Sequence, residues 1–174
     1  NFGNLTWSEL VAVAQIEGLD VTSYTTINNT APDPEPPAGP CNMSALLNWG
    51  DTIPTNPCGT YFPLIYHGGN LDIQSAGYGQ GILLVEGDLS IRGGYTFFGI
   101  IITQGRFSTG VGLNRVVGSV MASNAADLNE TVSGTSSISY SRCAITRAVL
   151  NNSALSRARP LEQRSWVDLS AAVN

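Results

Sequence analysis

The stretch that decides the fold runs from Gly77 to Leu89 and reads GYGQGILLVEGDL. Its glycines suggest a phosphate-binding loop, but such a loop leads into a helix whose N-terminus holds the anion. Here Gly81 is followed by the apolar run 82–85, which is typical of a buried strand, and then by a second glycine, Gly87. The stretch therefore predicts a strand and a glycine corner instead of a nucleotide site.

The same arrangement recurs along the chain at a constant spacing. Three segments align on the glycines at 69, 87 and 105, which are 18 residues apart. The aligned positions are Gly69, Gly87 and Gly105, then Leu64, Ile82 and Ile100 five residues earlier, and Leu71, Leu89 and Phe107 two residues later. A second series, Gly81, Gly99 and Gly118, is spaced by 18 and 19 residues. Such a repeat is typical of proteins that stack identical units.

The repeat length indicates how the units stack. Eighteen residues of strand at ~3.3 Å each make a path of about 60 Å, which suits one turn of a narrow solenoid. The sequence therefore predicts a mainly β protein, a short parallel β-solenoid (β-helix-like) with rungs of about 18 residues. We expect the glycines at corners, where the chain bends and a positive φ is tolerated. An antiparallel meander with coincidental spacing is the alternative.

The segment before the repeat predicts a helix. Thr6 and Glu9 have the pattern of a capping box, in which each side chain bonds to the other residue's backbone N–H. Apolar residues at helical spacing follow, and Gly18 is a typical stop signal. We expect a short amphipathic helix from Trp7 to Glu17, covering one end of the solenoid.

A proline-rich loop separates this helix from the repeat. Seven prolines between positions 28 and 60 exclude regular structure. A disulfide between Cys41 and Cys58 would order this loop and contribute roughly 3 kcal/mol, whereas two buried free thiols are the alternative. Trp49 is expected to cover one end of the core. Cys143 would remain unpaired, as a small buried hydrophobe.

The residues after the repeat predict a second cover. A polar strand is expected over 136–141, and the segment 142–150 has helical spacing of Cys143, Ile145, Val149 and Leu150. The tail 164–169 is expected to pack back as a strand or short turn. The organisation is then one compact domain with three parts: 1–60, helix and disulfide-bearing loop; 61–141, solenoid; 142–174, helix and tail.

Composition argues against several kinds of chemistry. The net charge of −5 disfavours nucleic acid, and the absence of lysine excludes P-loop and Schiff-base mechanisms. The carboxylates of Asp72, Glu86 and Asp88 do not recur at one register, as a polysaccharide-cleaving groove would require. His67 is the chain's one histidine, a general base in one interpretation and a structurally satisfied residue in the other. We predict no catalytic, cofactor-binding or metal-binding residues.

Several motifs together resemble one family. They are NWGD (48–51), YFPLIYHGGNLDI (61–73), GQGILLVEGDLSIRGGYTFFGIIITQGRF (79–107), YSRCAITRAV (140–149) and RSWVDL (164–169). Over about residues 41–170 the chain resembles the C-terminal β-rich region of bacterial type IV pilus-assembly proteins of the PilX type, which are prepilin-like. In that family an N-terminal hydrophobic helix anchors the protein in the membrane or fibre, and the β-rich part faces outside. The resemblance implies a membrane link only through an N-terminal segment that this chain does not contain, and it transfers no catalytic residue.

We therefore expect a non-enzymatic extracellular structural protein, a pilus-associated or filament-forming subunit at the cell surface. Its partners would be other copies or other pilus subunits. One alternative is a surface adhesin or carbohydrate-binding module, with Trp49, Tyr66, Tyr78 and Tyr95 as an aromatic face. Another is a polysaccharide-acting β-helix enzyme.

Overall fold

The computed structural model describes residues 6–34, 39–74, 76–124 and 136–155. These residues form ten strands and two helices. In chain order they are α1 (Trp7–Glu17), β1 (Leu19–Asp20), β2 (Thr26–Ile27), β3 (Leu64–His67), β4 (Leu71–Ile73), β5 (Tyr78–Val85), β6 (Leu89–Ile91), β7 (Thr96–Thr103), β8 (Phe107–Thr109), β9 (Arg115–Ala122), β10 (Ser137–Tyr140) and α2 (Arg142–Leu150).

The strands form two parallel sheets. The larger sheet has the order β1-β3-β5-β7-β9-β10, and the smaller has the order β2-β4-β6-β8. Every pair in both sheets is parallel. Successive turns therefore place one strand in each sheet, which makes a β-solenoid of about four turns. The solenoid prediction is confirmed, and the antiparallel meander is excluded.

The strand register follows the sequence repeat. Leu64 pairs with Ile82, which pairs with Ile100, and Leu71 pairs with Leu89, which pairs with Phe107. The solenoid also begins earlier than the repeat does, because β1 and β2 add a partial turn. Leu19 lies opposite Ile65, so this turn carries a much longer connection than the 18 residues of the later ones. The proline-rich loop accounts for that extra length.

An apolar interior fills the space between the sheets. Side chains alternate across each strand, so every second residue faces inward. The buried members of this inner core are Leu19, Val21, Ile27, Trp49, Ile65, Leu71, Ile73, Leu83, Val85, Leu89, Ile91, Tyr95, Phe97, Ile101, Phe107 and Val116. Leu89 and Ile91, two residues apart on β6, both face inward.

A second core lies between the outer face of the larger sheet and the two helices. The capping box of Thr6 and Glu9 is formed, and α1 buries Leu10, Val13 and Ala14 near β1 and β3. Further along the same face, α2 packs across β5, β7 and β9. Both predicted helices are present, and both shield the sheet's outer surface from water.

The buried face of α2 differs from the predicted one. Ala144 and Ala148 are buried, whereas Leu150 is 72% exposed. Cys143 is an exposed free thiol, so the prediction of a buried hydrophobe is wrong. The reason is close packing: a Cβ added at Gly99 would lie only 3.2 Å from the Ala148 Cβ. A helix this near to the sheet can fully bury only small side chains along its line of closest contact, and Ile145 and Val149 are partly buried beside it.

The proline-rich loop is ordered around two features. Cys41 and Cys58 form the expected disulfide, with their Cα atoms 5.0 Å apart. Trp49 is fully buried, and its ring meets those of Tyr95 and Phe97 edge to face. The Trp49 carbonyl accepts a hydrogen bond from the Gln80 N–H at 2.8 Å, so the loop continues the sheet where β3 is shorter than β5. Trp49 is therefore a buried member of the inner core, whereas the sequence predicted that it would cover one end. The predicted tail strand at 164–169 lies outside the described residues.

Candidate functional site

One glycine series is required by the close stacking of the larger sheet. Gly81, Gly99 and Gly118 share one register and have φ values of +116°, +136° and +146°. A Cβ at Gly99 would lie 2.0 Å from the Gly81 carbonyl oxygen, and one at Gly118 would lie 1.8 Å from that of Gly99. Both the backbone conformation and the space therefore exclude other residues. These glycines are structural positions inside β5, β7 and β9, and they do not lie at corners of the solenoid as the sequence predicted.

The other glycine series, Gly69, Gly87 and Gly105, lies at the turn between the sheets. Gly87 and Gly105 need no positive φ, but a Cβ at either would lie within 2.2 Å of the side chain of Asn70 or Asp88. Those side chains bridge successive turns. Asn70 Oδ1 accepts from the Asp88 N–H at 2.8 Å, and Asp88 Oδ1 accepts from the Arg106 N–H at 2.7 Å. Gly69, the first of the series, has room for a Cβ.

His67 is a satisfied structural residue. It is 3% exposed and ends β3. Its Nε2 lies 2.8 Å from the Tyr24 carbonyl oxygen, and its Nδ1 lies 3.1 Å from the Gly69 N–H nitrogen that donates to it. Because both ring nitrogens are engaged by backbone groups, His67 joins the first turn to the corner after β3. The general-base interpretation has no geometric support.

The aromatic face expected for a carbohydrate binder is not formed. Trp49, Tyr66 and Tyr95 are at most 4% exposed. The Tyr95 hydroxyl lies 2.8 Å from Thr30 Oγ1, and burial raises the pKa of this phenol well above its ordinary value. These rings belong to the two cores, so that part of the adhesin prediction is wrong.

One carboxylate on the smaller sheet is paired. Asp72 lies on β4 opposite Ser90, as the repeat predicts, and it forms an ion pair with Arg92. The Arg92 Nε donates to Asp72 Oδ1 at 3.0 Å. Burial tends to raise the pKa of Asp72, but hydrogen bonds from Arg92 and Gln74 outweigh it and hold the pKa below its ordinary value. The pair ties two successive turns together.

The strand β10 is the feature of the described residues best placed for interaction. It is the last strand of the larger sheet and is hydrogen-bonded on the β9 side. Ser137 donates to the Asn114 carbonyl at 2.9 Å, and Ser141 donates to that of Gly118 at 3.2 Å. Because N–H groups alternate sides along a strand, those of Ile138 and Tyr140 point away from β9. No described strand accepts them.

The side chains of β10 extend the apolar interior. Ile138 pairs with the buried Val116, and Tyr140 pairs with Gly118, so both stand above the inner core. Ile138 is 39% exposed and Tyr140 is 78% exposed. Within the described ranges, this end of the solenoid therefore offers both free backbone donors and apolar side chains. An open sheet edge of this kind is a template for another strand.

Three buried asparagines were not anticipated from the sequence. Asn114 donates to the Gly110 carbonyl and accepts from the Gly94 N–H, each at 3.0 Å, which fixes the corner between β8 and β9. Asn48 holds the loop beside the disulfide, and Asn152 donates to the Phe62 carbonyl at 3.0 Å. Because the chain contains many asparagines, the sequence alone does not show which of them are buried and hydrogen-bonded. The one sequence signal is the position of Asn114 just before a strand.

Neither described helix is long and apolar enough to cross a membrane. In the part of the chain that the structure describes, no three histidine, cysteine or carboxylate side chains are grouped to hold a metal ion. No family model matches the chain, and neither a curated protein nor a solved structure shows significant similarity to it.

Proposed function

We propose that this protein is a non-enzymatic structural subunit of an extracellular, pilus-like surface filament. The observation that carries the proposal is the open edge at β10. Its outward N–H groups at Ile138 and Tyr140 are bonded to no described strand, and the two side chains are exposed to solvent, so the edge can accept another strand.

A second copy is the partner that fits this edge. The opposite edge of the same sheet is β1, which pairs with β3 on one side among the described residues. Parallel stacking of β10 on β1 of the next copy would continue the sheet in its own direction. Such a head-to-tail contact uses two different surfaces and does not close on itself, so repetition gives an open filament.

Two further observations agree with an extracellular filament. The Cys41–Cys58 disulfide is typical of proteins from oxidising compartments. The motif resemblance of residues 41–170 to pilus-assembly proteins would imply the same location, although no family model matches the chain. Pilus association and extracellular location are therefore parts of one proposal, which the edge at β10 makes testable.

The test is self-association of the purified, oxidised chain. We expect the mass measured by sedimentation to rise with concentration and short filaments to appear by negative-stain electron microscopy. Ile138→Pro removes one outward N–H and leaves the inward bonds of Ser137 and Ser141, so it should lower association strongly. A strict monomer at millimolar concentration, without filaments, would contradict the proposal.

A matched pair of double variants distinguishes association through the β10 edge from nonspecific hydrophobic association. Ile138→Ser with Tyr140→Ser removes two exposed apolar side chains from the edge. Ile16→Ser with Leu150→Ser removes two that are 80% and 72% exposed on the helices. We expect the first pair to abolish association and the second to preserve it. Equal effects would show that the β10 edge is not the contact.

A further inference from the structure

A groove lies on the outer face of the larger sheet, apart from the β10 edge of the filament proposal. It has a volume of about 230 Å³. Its floor is one register column, Gln80 on β5, Phe98 on β7 and Val117 on β9. The first turns of α2 form one wall, with Cys143 and Arg147, and Phe62 forms part of the other. The volume suits one aromatic group, being smaller than the 300–1,000 Å³ typical of drug-sized pockets.

The apolar surfaces of the groove favour a flat ring. Phe98 and Val117 are partly exposed at the floor, and the ring of Phe62 stands beside them. The Arg147 guanidinium lies 5.1 Å from the centre of the Phe62 ring. An arginine fixed on an aromatic face keeps its donors in one plane, which suits recognition of a carboxylate.

The charge on Arg147 has no counterpart within the described residues. No ion pair joins it to a described carboxylate. The guanidinium lies over the Phe62 ring instead. The guanidinium is half-buried and borders the groove, so an anion entering there would be its partner. Charge complementarity therefore favours an anionic ligand although the whole chain is acidic.

A buried amide on the floor adds a hydrogen-bond acceptor. Gln80 is 3% exposed, and its Nε2 donates to the Tyr61 carbonyl at 2.9 Å. Its Oε1 accepts no hydrogen bond from described residues, and it is not sealed from solvent. Since Gln80 borders the groove, this oxygen is available to a donor on the ligand.

We infer that this groove binds an aryl carboxylate, with the ring over Phe98 and Val117 and the carboxylate on Arg147. Two sources share this chemistry: a free small acid, and the C-terminal phenylalanine of a peptide. A donor such as a peptide N–H would in addition reach Gln80 Oε1.

Cys143 supplies a site-specific reporter for this inference. The chain has three cysteines, and two are joined in the disulfide, so the thiol of Cys143 is the reactive one. It borders the groove, so an occupant should slow its alkylation by N-ethylmaleimide. The measurement is the alkylation rate of the oxidised full chain, followed by mass spectrometry against ligand concentration.

The probes are phenylacetate, N-acetylglycyl-phenylalanine, benzyl alcohol and acetate. We expect saturable protection by the first two, with phenylacetate half-protective on the order of 1 mM, as so small a ligand allows. Benzyl alcohol should need at least about tenfold more, because it lacks the charge-assisted hydrogen bonds to arginine. Tighter protection by the peptide would identify a chain terminus as the source, and tighter protection by phenylacetate a free acid.

Two arginine variants complete the test. Arg147→Gln should raise the half-protective concentration of phenylacetate about tenfold. Arg142→Gln makes the same charge change on the same helix but does not border the groove, so it should have little effect. The inference is overturned if no probe protects Cys143, if benzyl alcohol protects as well as phenylacetate, or if both variants behave alike.

Discussion

Replacing Gly99 with alanine tests the close stacking that defines the larger sheet. The added Cβ would lie 2.0 Å from the Gly81 carbonyl oxygen and 3.2 Å from the Ala148 Cβ. It would also sit on a backbone with φ of +136°. The substitution would therefore clash with the turn below, crowd the helix above and strain the local backbone.

The expected loss can be assembled from these contacts. A non-glycine residue at positive φ costs about 1–2 kcal/mol, and overpacking a rigid backbone costs about 1–3 kcal/mol more. We expect Gly99→Ala to lower the free energy of unfolding by about 2–5 kcal/mol, a large part of the 5–15 kcal/mol typical of a domain. At this chain length the melting temperature should fall by roughly 10 °C.

Gly94→Ala is the matched control. Gly94 also has a positive φ, +92°, but the nearest atom to its added Cβ is the Ala76 Cβ at 4.0 Å. This variant should therefore show the backbone cost alone, about 1–2 kcal/mol. The assay is urea unfolding of the oxidised protein, followed by far-ultraviolet circular dichroism. Equal losses in the two variants would refute the argument that backbone contact between turns selects glycine.

Three further predictions concern contacts between turns and around the loop. Cys41→Ser with Cys58→Ser should lower the unfolding free energy by about 3 kcal/mol and make urea unfolding insensitive to reductant; a reductant effect that persists would contradict it. The lowered pKa of Asp72 means that its stabilising effect is present above the unfolded-state pKa and is lost as the pH falls through the native one. Asp72→Asn should therefore reduce the loss of stability below about pH 4, and an unchanged pH profile would count against the Arg92 pair. Tyr95→Phe should cost about 1 kcal/mol, because Thr30 loses one partner but still donates to the Tyr78 carbonyl at 2.7 Å. A thermal melt indistinguishable from that of the parent protein would show that the Tyr95 hydroxyl is not needed.

The repeat could be predicted because glycine and apolar positions recur together. A parallel solenoid places residue i of one turn beside residue i of the next, so a constant period in sequence becomes a constant register in space. Gly81, Gly99 and Gly118 stack for this reason. The partial first turn was missed because β1 and β2 have no glycine corner that matches the period.

The position of α2 on the sheet could not be read from hydrophobicity. Large apolar residues such as Leu150 were expected to face inward, but the closeness of the backbone at Gly99 selects Ala148 instead. The exposure of Cys143 follows from the same packing. Such contacts depend on the distance between elements, which a single sequence does not contain.

The groove likewise could not be predicted from the sequence. Its floor could be aligned, since Gln80 and Phe98 share the repeat register. Its walls come from α2 and from the loop near the disulfide, whose approach to the sheet depends on tertiary packing. Nothing in the sequence marked Arg147 as a binding residue, because arginines on the surface of helices are common.

The 18-residue register also sets how such a chain can grow or shrink over evolutionary time. Each full turn adds one strand to both sheets, so duplicating or deleting a whole turn would change the height of the protein by about 4.8 Å and leave both ends intact. A deletion within β5 or β7 between Gly81 and Gly99 would displace one from the other and bring a side chain against a carbonyl oxygen. The spacing of 19 residues from Gly99 to Gly118, which still pair, shows that a connection between strands can absorb one extra residue. Length variation should therefore occur in whole turns, or in connections outside the stack such as the long loop that carries Cys41 and Cys58.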